Sequence, residues 1–212
     1  MKTILFQGDS ITDCDRSRTN FDNVGTGYPL LVKALLGFEH PESFQFQNRG
    51  ISGNRIVDVY ARIKADIINL KPDYMSILIG VNDVGHEFGG HNGVDADKFE
   101  KIYSMLIEEI KEALPQIKIM ILEPFCLREV ATENTEEYPD KWNMFRSEVE
   151  KRAEKARAVA DKYGLTFIPL QAKLDKAAEN TANSYWLGDG VHPTAMGHEL
   201  IKREWLKAFE TL

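Results

Sequence analysis

The sequence contains little cysteine. Its two cysteines, Cys14 and Cys126, lie far apart and form no CxxC pair. This pattern favours two reduced thiols over a disulfide framework, as is typical of a cytoplasmic protein.

Long apolar runs are also missing. No run approaches the ~20 residues that a membrane-spanning helix requires. The first ten residues, MKTILFQGDS, hold one lysine and too few apolar residues for the ~7–15-residue core of a signal peptide. We therefore predict a cytoplasmic location and no membrane partner.

Positive charge is not in excess. The formal net charge of the 212 residues is −7, and no basic stripe is present that would neutralise phosphates. A nucleic-acid partner is therefore not predicted. The length fits one domain that spans residues 1–212 and is long enough to bury a full core.

Short apolar runs alternate with helical patterns along the whole chain. This alternation predicts a parallel sheet covered by helices on both faces, an α/β fold. The predicted strands are Thr3–Gln7, Phe44–Asn48, Tyr74–Ile79, Ile117–Leu122 and Thr166–Leu170. No internal repeat and no low-complexity linker is evident.

Helices are predicted from apolar residues at three- and four-residue spacing. Two such patterns run from Ile56 to Leu70 and from Phe99 to Ala113, a charged helix runs from about Lys141 to Tyr163, and a last helix follows Pro193. Between them, segments 12–27, 82–97 and 126–140 are polar and rich in glycine or acids. We expect these segments to be loops at strand ends, where open α/β sheets place their ligands.

Several functional motifs are absent. The sequence has no GxSxG elbow and no Walker A pattern, and "GTGYPL" (25–30) fails the dinucleotide pattern GxGxxG. His86 and His91 lie near Glu87 and Asp95, but the HExxH pattern is missing and a glycine-rich loop is a poor frame for metal ligands. We predict neither a metal site nor an organic cofactor.

The stretch "FQGDSIT" (6–12) follows the first apolar run directly. Glycine, aspartate and serine are common at strand exits, so a simple turn is one interpretation. The alternative is that Ser10 is a nucleophile at the carboxyl end of a strand. Such a nucleophile requires a general base, a group that orients the base, and donors for the oxyanion.

Candidate partners occur in three other stretches. "GDGVHPT" (188–194) places Asp189 three residues before His192, where a turn lets the carboxylate meet the imidazole. "NRGISGNR" (48–55) offers a backbone N–H at Gly53, and "IGVNDV" (79–84) offers the amide of Asn82. Each stretch alone is also explained by turn chemistry, but together they surround the edge of the sheet where a site is expected.

The four stretches resemble the SGNH, or GDSL, hydrolases over almost the whole chain. The family's four named residues correspond to Ser10, Gly53, Asn82 and His192, and Ile11 replaces the leucine of the GDSL name. The resemblance implies a three-layer α/β/α sandwich of flavodoxin-like type with a five-stranded parallel sheet. It also implies a catalytic triad of Ser10, His192 and Asp189, an oxyanion hole of Ser10, Gly53 and Asn82, and no metal or cofactor.

Within that family, "GDSITDC", "GTGY", "NRGISGN", "GVNDV" and "EPF" look most like the bacterial acetylxylan esterases and related carbohydrate acetylesterases. The resemblance implies a serine esterase that hydrolyses short acyl esters through an acyl-enzyme, with an acetylated sugar such as a xylo-oligosaccharide as the small substrate. We place Asp9, Trp142, Trp186 and Tyr138 among candidate substrate-binding residues, although packing under loops explains the aromatic residues equally well.

Other functions stay open at this stage. An arylesterase, a thioesterase or a lysophospholipase is compatible with the same residues, because a fold does not choose a substrate. A non-catalytic carbohydrate-binding protein on the same fold is an alternative of another class. The sequence also permits a homo-oligomer.

Overall fold

A five-stranded parallel sheet forms the centre of the molecule. The computed structural model describes residues Met1–Leu212. The strands lie in the order β2-β1-β3-β4-β5, with every neighbouring pair parallel. They are β1 (Lys2–Gly8), β2 (Phe44–Asn48), β3 (Tyr74–Leu78), β4 (Lys118–Leu122) and β5 (Thr166–Ile168). This order is the flavodoxin-like arrangement, so the predicted fold class is confirmed.

Nine α-helices and two short 3₁₀ turns lie between the strands or follow the last one. The helices are α1 (Ser10–Asp13), α2 (Tyr28–Glu39), α3 (Ile56–Ala61), α4 (Ile63–Asp66), α5 (Val81–Gly90), α6 (Ala96–Ala113), α7 (Lys141–Tyr163), α8 (Gln171–Ala178) and α9 (Ala195–Phe209). The 3₁₀ turns are Ile68–Leu70 and Asn183–Tyr185. None of these helices has both the length and the apolar character that crossing a bilayer requires.

Strand residues point alternately to two separate cores, which explains the three layers. In β1, Ile4 and Phe6 pack with residues of α2, α8 and α9, whereas Leu5 between them packs with residues of α3, α6 and the C-terminal half of α7. Both faces of the sheet are therefore buried. This explains why the strands read as nearly continuous apolar runs.

Two expectations about local structure were wrong. The pattern from Ile56 to Leu70 forms α3, α4 and a 3₁₀ turn rather than one helix. Arg62 lies at the break, where its guanidinium donates hydrogen bonds to the side chain of Asn54 and the carbonyl of Arg49. These hydrogen bonds hold Arg62 against the segment that contains Arg49 and Asn54. The pattern is therefore interrupted at Arg62 and does not continue as one helix.

The second error concerns segment 82–97, which was expected to be a loop. Its first part is helix α5, although Gly85, Gly89 and Gly90 lower the intrinsic helix propensity. Val81 and Val84 are buried in the core on one face of this helix. Tertiary packing of that face outweighs the cost of the glycines.

Candidate active site

The predicted nucleophile lies at the carboxyl edge of the sheet. Ser10 follows β1 and is the first residue of α1. Asp9 caps this helix, since its Oδ1 accepts a hydrogen bond of 3.0 Å from the backbone N–H of Ile11. As the first helical residue, Ser10 has no intrahelical acceptor for its own N–H, which is therefore available to a ligand.

Ser10, His192 and Asp189 form a continuous hydrogen-bonded chain. The Oγ atom of Ser10 lies 2.9 Å from Nε2 of His192, and Nδ1 of His192 lies 2.7 Å from Oδ2 of Asp189. Because a carboxylate only accepts, Nδ1 carries the proton and Nε2 accepts from the serine hydroxyl. The arrangement is that of a nucleophile, a general base and an orienting acid.

Local hydrogen bonds hold Asp189 in place. Its Oδ1 accepts from the backbone N–H groups of Val191 and His192 at 2.9 and 2.8 Å. Partial burial acts to raise the pKa of Asp189, but these bonds and the one from the His192 ring outweigh it and lower the pKa below its ordinary value. Asp189 is therefore an anion at neutral pH, as an orienting acid must be.

The loop that carries Gly53 is held from two sides by the buried side chains of two aspartates. Asp13, at the end of α1, accepts from the backbone N–H and the hydroxyl of Ser52 at 3.0 and 3.1 Å. Asp83, next to Asn82 in α5, accepts from the backbone N–H of Ile56 with both oxygens, at 3.1 and 3.2 Å. These bonds fix Gly53 relative to Ser10 on one side and Asn82 on the other.

Gly53 and Asn82 have the geometry of hydrogen-bond donors to a ligand. Gly53 has a φ of +80°, a conformation that favours glycine. The side-chain amide of Asn82 donates one N–H to the carbonyl of Asn54 at 3.1 Å, which leaves its second N–H free. Ser10, Gly53 and Asn82 thus offer two backbone donors and one side-chain donor at a single edge of the sheet.

Sequence reasoning missed the roles of Asp13 and Asp83. Both side chains are almost fully buried, with the whole of Asp83 at 0% and Asp13 at 3% exposure. Burial raises the pKa of Asp83 to about 8, even though the N–H of Ile56 acts to lower it. A usable signal was present, because each acid lies beside a motif residue in "GDSITD" and "GVND".

A cavity of about 290 Å³ opens beside the hydrogen-bonded chain. Its walls include Asn82, His86, Phe88, Lys141, Val191 and His192. Three larger clefts, of about 330, 340 and 450 Å³, contain none of the predicted triad residues. The cavity beside His192 is therefore the candidate substrate site despite its smaller size.

Most residues predicted to bind substrate lie elsewhere. The whole of Asp9 is 1% exposed and acts as a helix cap, so it faces the interior. Trp142 lines a groove with Arg128, and Trp186 lines another with Met196 on α9. Neither groove includes Ser10 or His192. Trp142 is the second residue of α7, and Trp186 directly follows the 3₁₀ turn Asn183–Tyr185.

Tyr138 is close to the cavity but is not one of its lining residues. Its ring packs edge-on against Phe88 at a centroid distance of 5.3 Å, and Phe88 lines the cavity. Tyr138 therefore supports the wall of the candidate site from behind.

The histidines considered as metal ligands are not arranged for that role. His91 ends α5 and lies 3.9 Å from Glu87, whereas His86 faces the cavity. No group of three or more His, Cys, Asp or Glu side chains in the molecule is placed to hold a metal ion.

Comparison with known proteins gives a consistent result. Residues 6–200 match the GDSL-like lipase/acylhydrolase family. An acetylxylan esterase from Geobacillus stearothermophilus is 33% identical over 214 residues, which cover 96% of this chain and 92% of that protein.

Solved structures show the same similarity. A crystal structure described as a GDSL-like lipase, from Parabacteroides merdae, has a TM-score of 0.86 at 33% identity and covers 100% of this chain and 96% of that one. The acetylxylan esterase Axe2 from G. stearothermophilus has a TM-score of 0.83 at 31% identity, covering 98% and 93%. An α/β hydrolase from the metagenome of Lake Arreo, Spain, has a TM-score of 0.86 at 26% identity, covering 99% and 95%.

Proposed function

Because this chain belongs to the GDSL-like lipase/acylhydrolase family, we propose that it uses Ser10, His192 and Asp189 to remove acetyl groups from carbohydrates. The chain is an esterase of the GDSL, or SGNH, type. What we propose beyond this is the class of its substrate, the identity of its catalytic residues and the role of each. Membership of an acylhydrolase family argues against the alternative of a non-catalytic carbohydrate-binding protein.

The observation that carries the proposal is the Ser10–His192–Asp189 chain of hydrogen bonds, at 2.9 and 2.7 Å. The Oγ atom of Ser10 attacks the ester carbonyl carbon while its proton passes to Nε2 of His192. Asp189 is already hydrogen-bonded to Nδ1 of the ring and stabilises the imidazolium that forms. No rearrangement of these three side chains is required before the attack.

The negative charge of the tetrahedral intermediate develops on the former carbonyl oxygen. The backbone N–H groups of Ser10 and Gly53 and the free N–H of Asn82 stabilise it. When the intermediate collapses, the bond to the leaving oxygen breaks and Nε2 of His192 returns its proton to that oxygen, which releases the alcohol. Water then attacks the acetyl-enzyme with His192 as base, which releases acetate and restores the Ser10 hydroxyl.

The preference for acetylated carbohydrates has two supports. Both the curated relative and the solved structure Axe2 are acetylxylan esterase from G. stearothermophilus, and the match extends over nearly the whole of both chains. The cavity beside His192 also combines Phe88, an aromatic wall, with the polar side chains of His86 and Lys141. An apolar face with a few convergent polar groups is typical of a small-molecule site, and these polar groups can hydrogen-bond the hydroxyl groups of a sugar.

The test is acetate release from acetylated xylo-oligosaccharides, monosaccharide acetates and acetyl thioesters. We expect the wild type to favour the oligosaccharide or monosaccharide acetates. Ser10→Ala should lower kcat by roughly 10⁶-fold, as removal of a serine nucleophile does in other triads. Preference for the thioesters, or substantial turnover by Ser10→Ala, would contradict the proposal.

A further inference from the structure

His86 stands over the proposed oxyanion hole. It lies four residues after Asn82 in α5, which is one helical turn, so the two side chains share a face of the helix. The Nε2 atom of His86 is 4.0 Å from the position that a Cβ atom on Gly53 would occupy, and no other residue beyond the chain neighbours Ser52 and Asn54 approaches that position within 4 Å. The imidazole is thus the protein group that Gly53 faces across an open space.

The His86 ring has no hydrogen-bonding partner in the protein. The hydrogen bonds of this segment use its backbone and Glu87: Asn92 N–H donates to the His86 carbonyl, and Gly93 N–H donates to the Glu87 carboxylate. The half-buried imidazole therefore keeps both nitrogens for a ligand. A neutral imidazole presents one donor and one acceptor, which is the pair that a hydroxyl group also presents.

The position of His192 determines which part of the substrate lies beside His86. Nε2 of His192 must be within hydrogen-bond distance of the leaving oxygen in order to protonate it. The alcohol part of the ester therefore leaves along the side of the site that His192 lines. His86 and His192 line the same cavity of about 290 Å³.

The size of this cavity agrees with an alcohol part rather than an acetyl group. A volume of about 290 Å³ has room for roughly ten water molecules. An acetyl group, with three heavy atoms, fills only a small part of it. A sugar ring or another polyol fills much more and brings hydroxyl groups to the walls.

We propose that His86 is a specificity-determining residue that hydrogen-bonds a hydroxyl group of the alcohol part of the ester, adjacent to the acetylated position. The ligand class is the monoacetate of a polyol. The inference rests on the proposed esterase function and assigns the recognition of the alcohol to one residue outside the triad and the oxyanion hole.

The experiment compares two small esters that differ in the hydroxyl groups of the alcohol, 1-acetylglycerol and propyl acetate. We expect the ratio of their kcat/KM values to fall about fivefold to tenfold in His86→Ala, the range for loss of one hydrogen bond. The change should be mainly in KM for 1-acetylglycerol. His86→Gln, which retains a donor and an acceptor, should recover part of the ratio.

His91→Asn is the matched control. His91 is exposed at the end of the same helix, with a φ of +50°, and asparagine tolerates this conformation. This variant should keep the wild-type ratio. Because glycine-rich α5 gains helix propensity from His86→Ala, the variant should also remain folded.

Two outcomes would overturn the inference about His86. One is an equal loss, or no loss, on the two esters. The other is a changed ratio between p-nitrophenyl acetate and p-nitrophenyl butyrate with the alcohol preference intact, which would place the acyl group in the cavity. Failure of the wild type to hydrolyse acetylated sugars is a separate result. It would refute the proposed substrate and leave the test with 1-acetylglycerol valid.

Discussion

The Oγ atom of Ser10 lies 2.9 Å from Nε2 of His192, although 182 positions separate the two residues in the chain. Ser10 follows the first strand, and His192 precedes the last helix. The contact forms because β1 is an inner strand of the sheet and α9 packs beside α2 on one of its faces. The two ends of the chain therefore meet over the same edge.

Asn82→Ala tests the side-chain donor of the proposed oxyanion hole. We expect kcat for p-nitrophenyl acetate to fall by about 10²–10³, because the developing negative charge loses one hydrogen bond in the transition state. KM should change little. Asn92→Ala, an exposed asparagine beyond the same helix, is the control and should keep wild-type kinetics. Equal kinetics in the two variants would show that Asn82 is not part of the hole.

Gly53→Ala tests whether the left-handed backbone conformation of Gly53 is needed to aim its N–H at the oxyanion. With φ at +80°, a Cβ atom costs roughly 1–2 kcal/mol of strain even though space is available. Relief of that strain should move the loop, and we expect a loss of roughly 100-fold in kcat. Stability is measured by urea unfolding and activity with p-nitrophenyl acetate.

The control for that experiment is Gly37→Ala. Gly37 lies in α2, where a Cβ atom meets nothing within 4 Å. Alanine there should raise the free energy of unfolding by about 0.5–1 kcal/mol and leave activity unchanged. If Gly53→Ala behaves in the same way, the backbone at Gly53 is not used in catalysis.

Asp9 should make the protein less stable as the pH rises from 4 to 7. Complete burial raises its pKa to about 7, and its Oδ2 atom has no hydrogen-bond partner. In that range the unfolded chain releases the proton of Asp9 while the folded protein retains it. Stability therefore falls by about 1.4 kcal/mol per pH unit and levels off above pH 7.

Asp9→Asn removes this titration and preserves the helix cap, since asparagine is an equally good N-cap residue. We expect the difference in the free energy of unfolding between the variant and the wild type to increase by roughly 2–3 kcal/mol from pH 5 to pH 8. Urea unfolding at both pH values measures this difference. Asp22→Asn, at an exposed position, should show no such gain. A gain that does not depend on pH would refute the raised pKa of Asp9.

Acyl-chain length is a further test of the proposed substrate. With p-nitrophenyl esters of two to eight carbons, kcat/KM should be highest for acetate and decrease with each added pair of carbons. The reason is the similarity to acetylxylan esterase from G. stearothermophilus, an enzyme whose name implies release of acetyl groups. A maximum at eight carbons or more would contradict the acetylesterase proposal.

Much of the fold was predictable because its signals are local. An apolar run such as Tyr74–Leu78, buried on both faces, is distinct from the period of helices such as Ala96–Ala113. Gly164 ends α7 in the left-handed conformation that its type favours, and Thr194 caps α9 through its side chain. The two errors, at Arg62 and in α5, arose where contacts with distant residues overrode local propensity.

The candidate site was predictable to a smaller extent. Ser10, Gly53 and Asn82 come after strands, and Asp189 and His192 lie in the loop before the last helix. The sequence therefore suggested all five as candidate site residues, and their catalytic roles remain a proposal. The positions of the aromatic residues were not predictable, because an aromatic residue in a polar stretch of sequence carries no signal of the direction in which its side chain points in the fold. His86 and Asp83 gain meaning only from their neighbours in space, Gly53 and Ile56.

The sequence by itself determined which elements form and which chemical groups are available, since both depend on residue type and short-range periodicity. Only the tertiary structure decided which of these groups meet. Parallel strands in the order β2-β1-β3-β4-β5 bring loops from separate parts of the chain to one edge, and the buried side chains of Asp13 and Asp83 set the distances there. Those distances result from long-range packing and hydrogen bonding, which no local pattern of residues encodes.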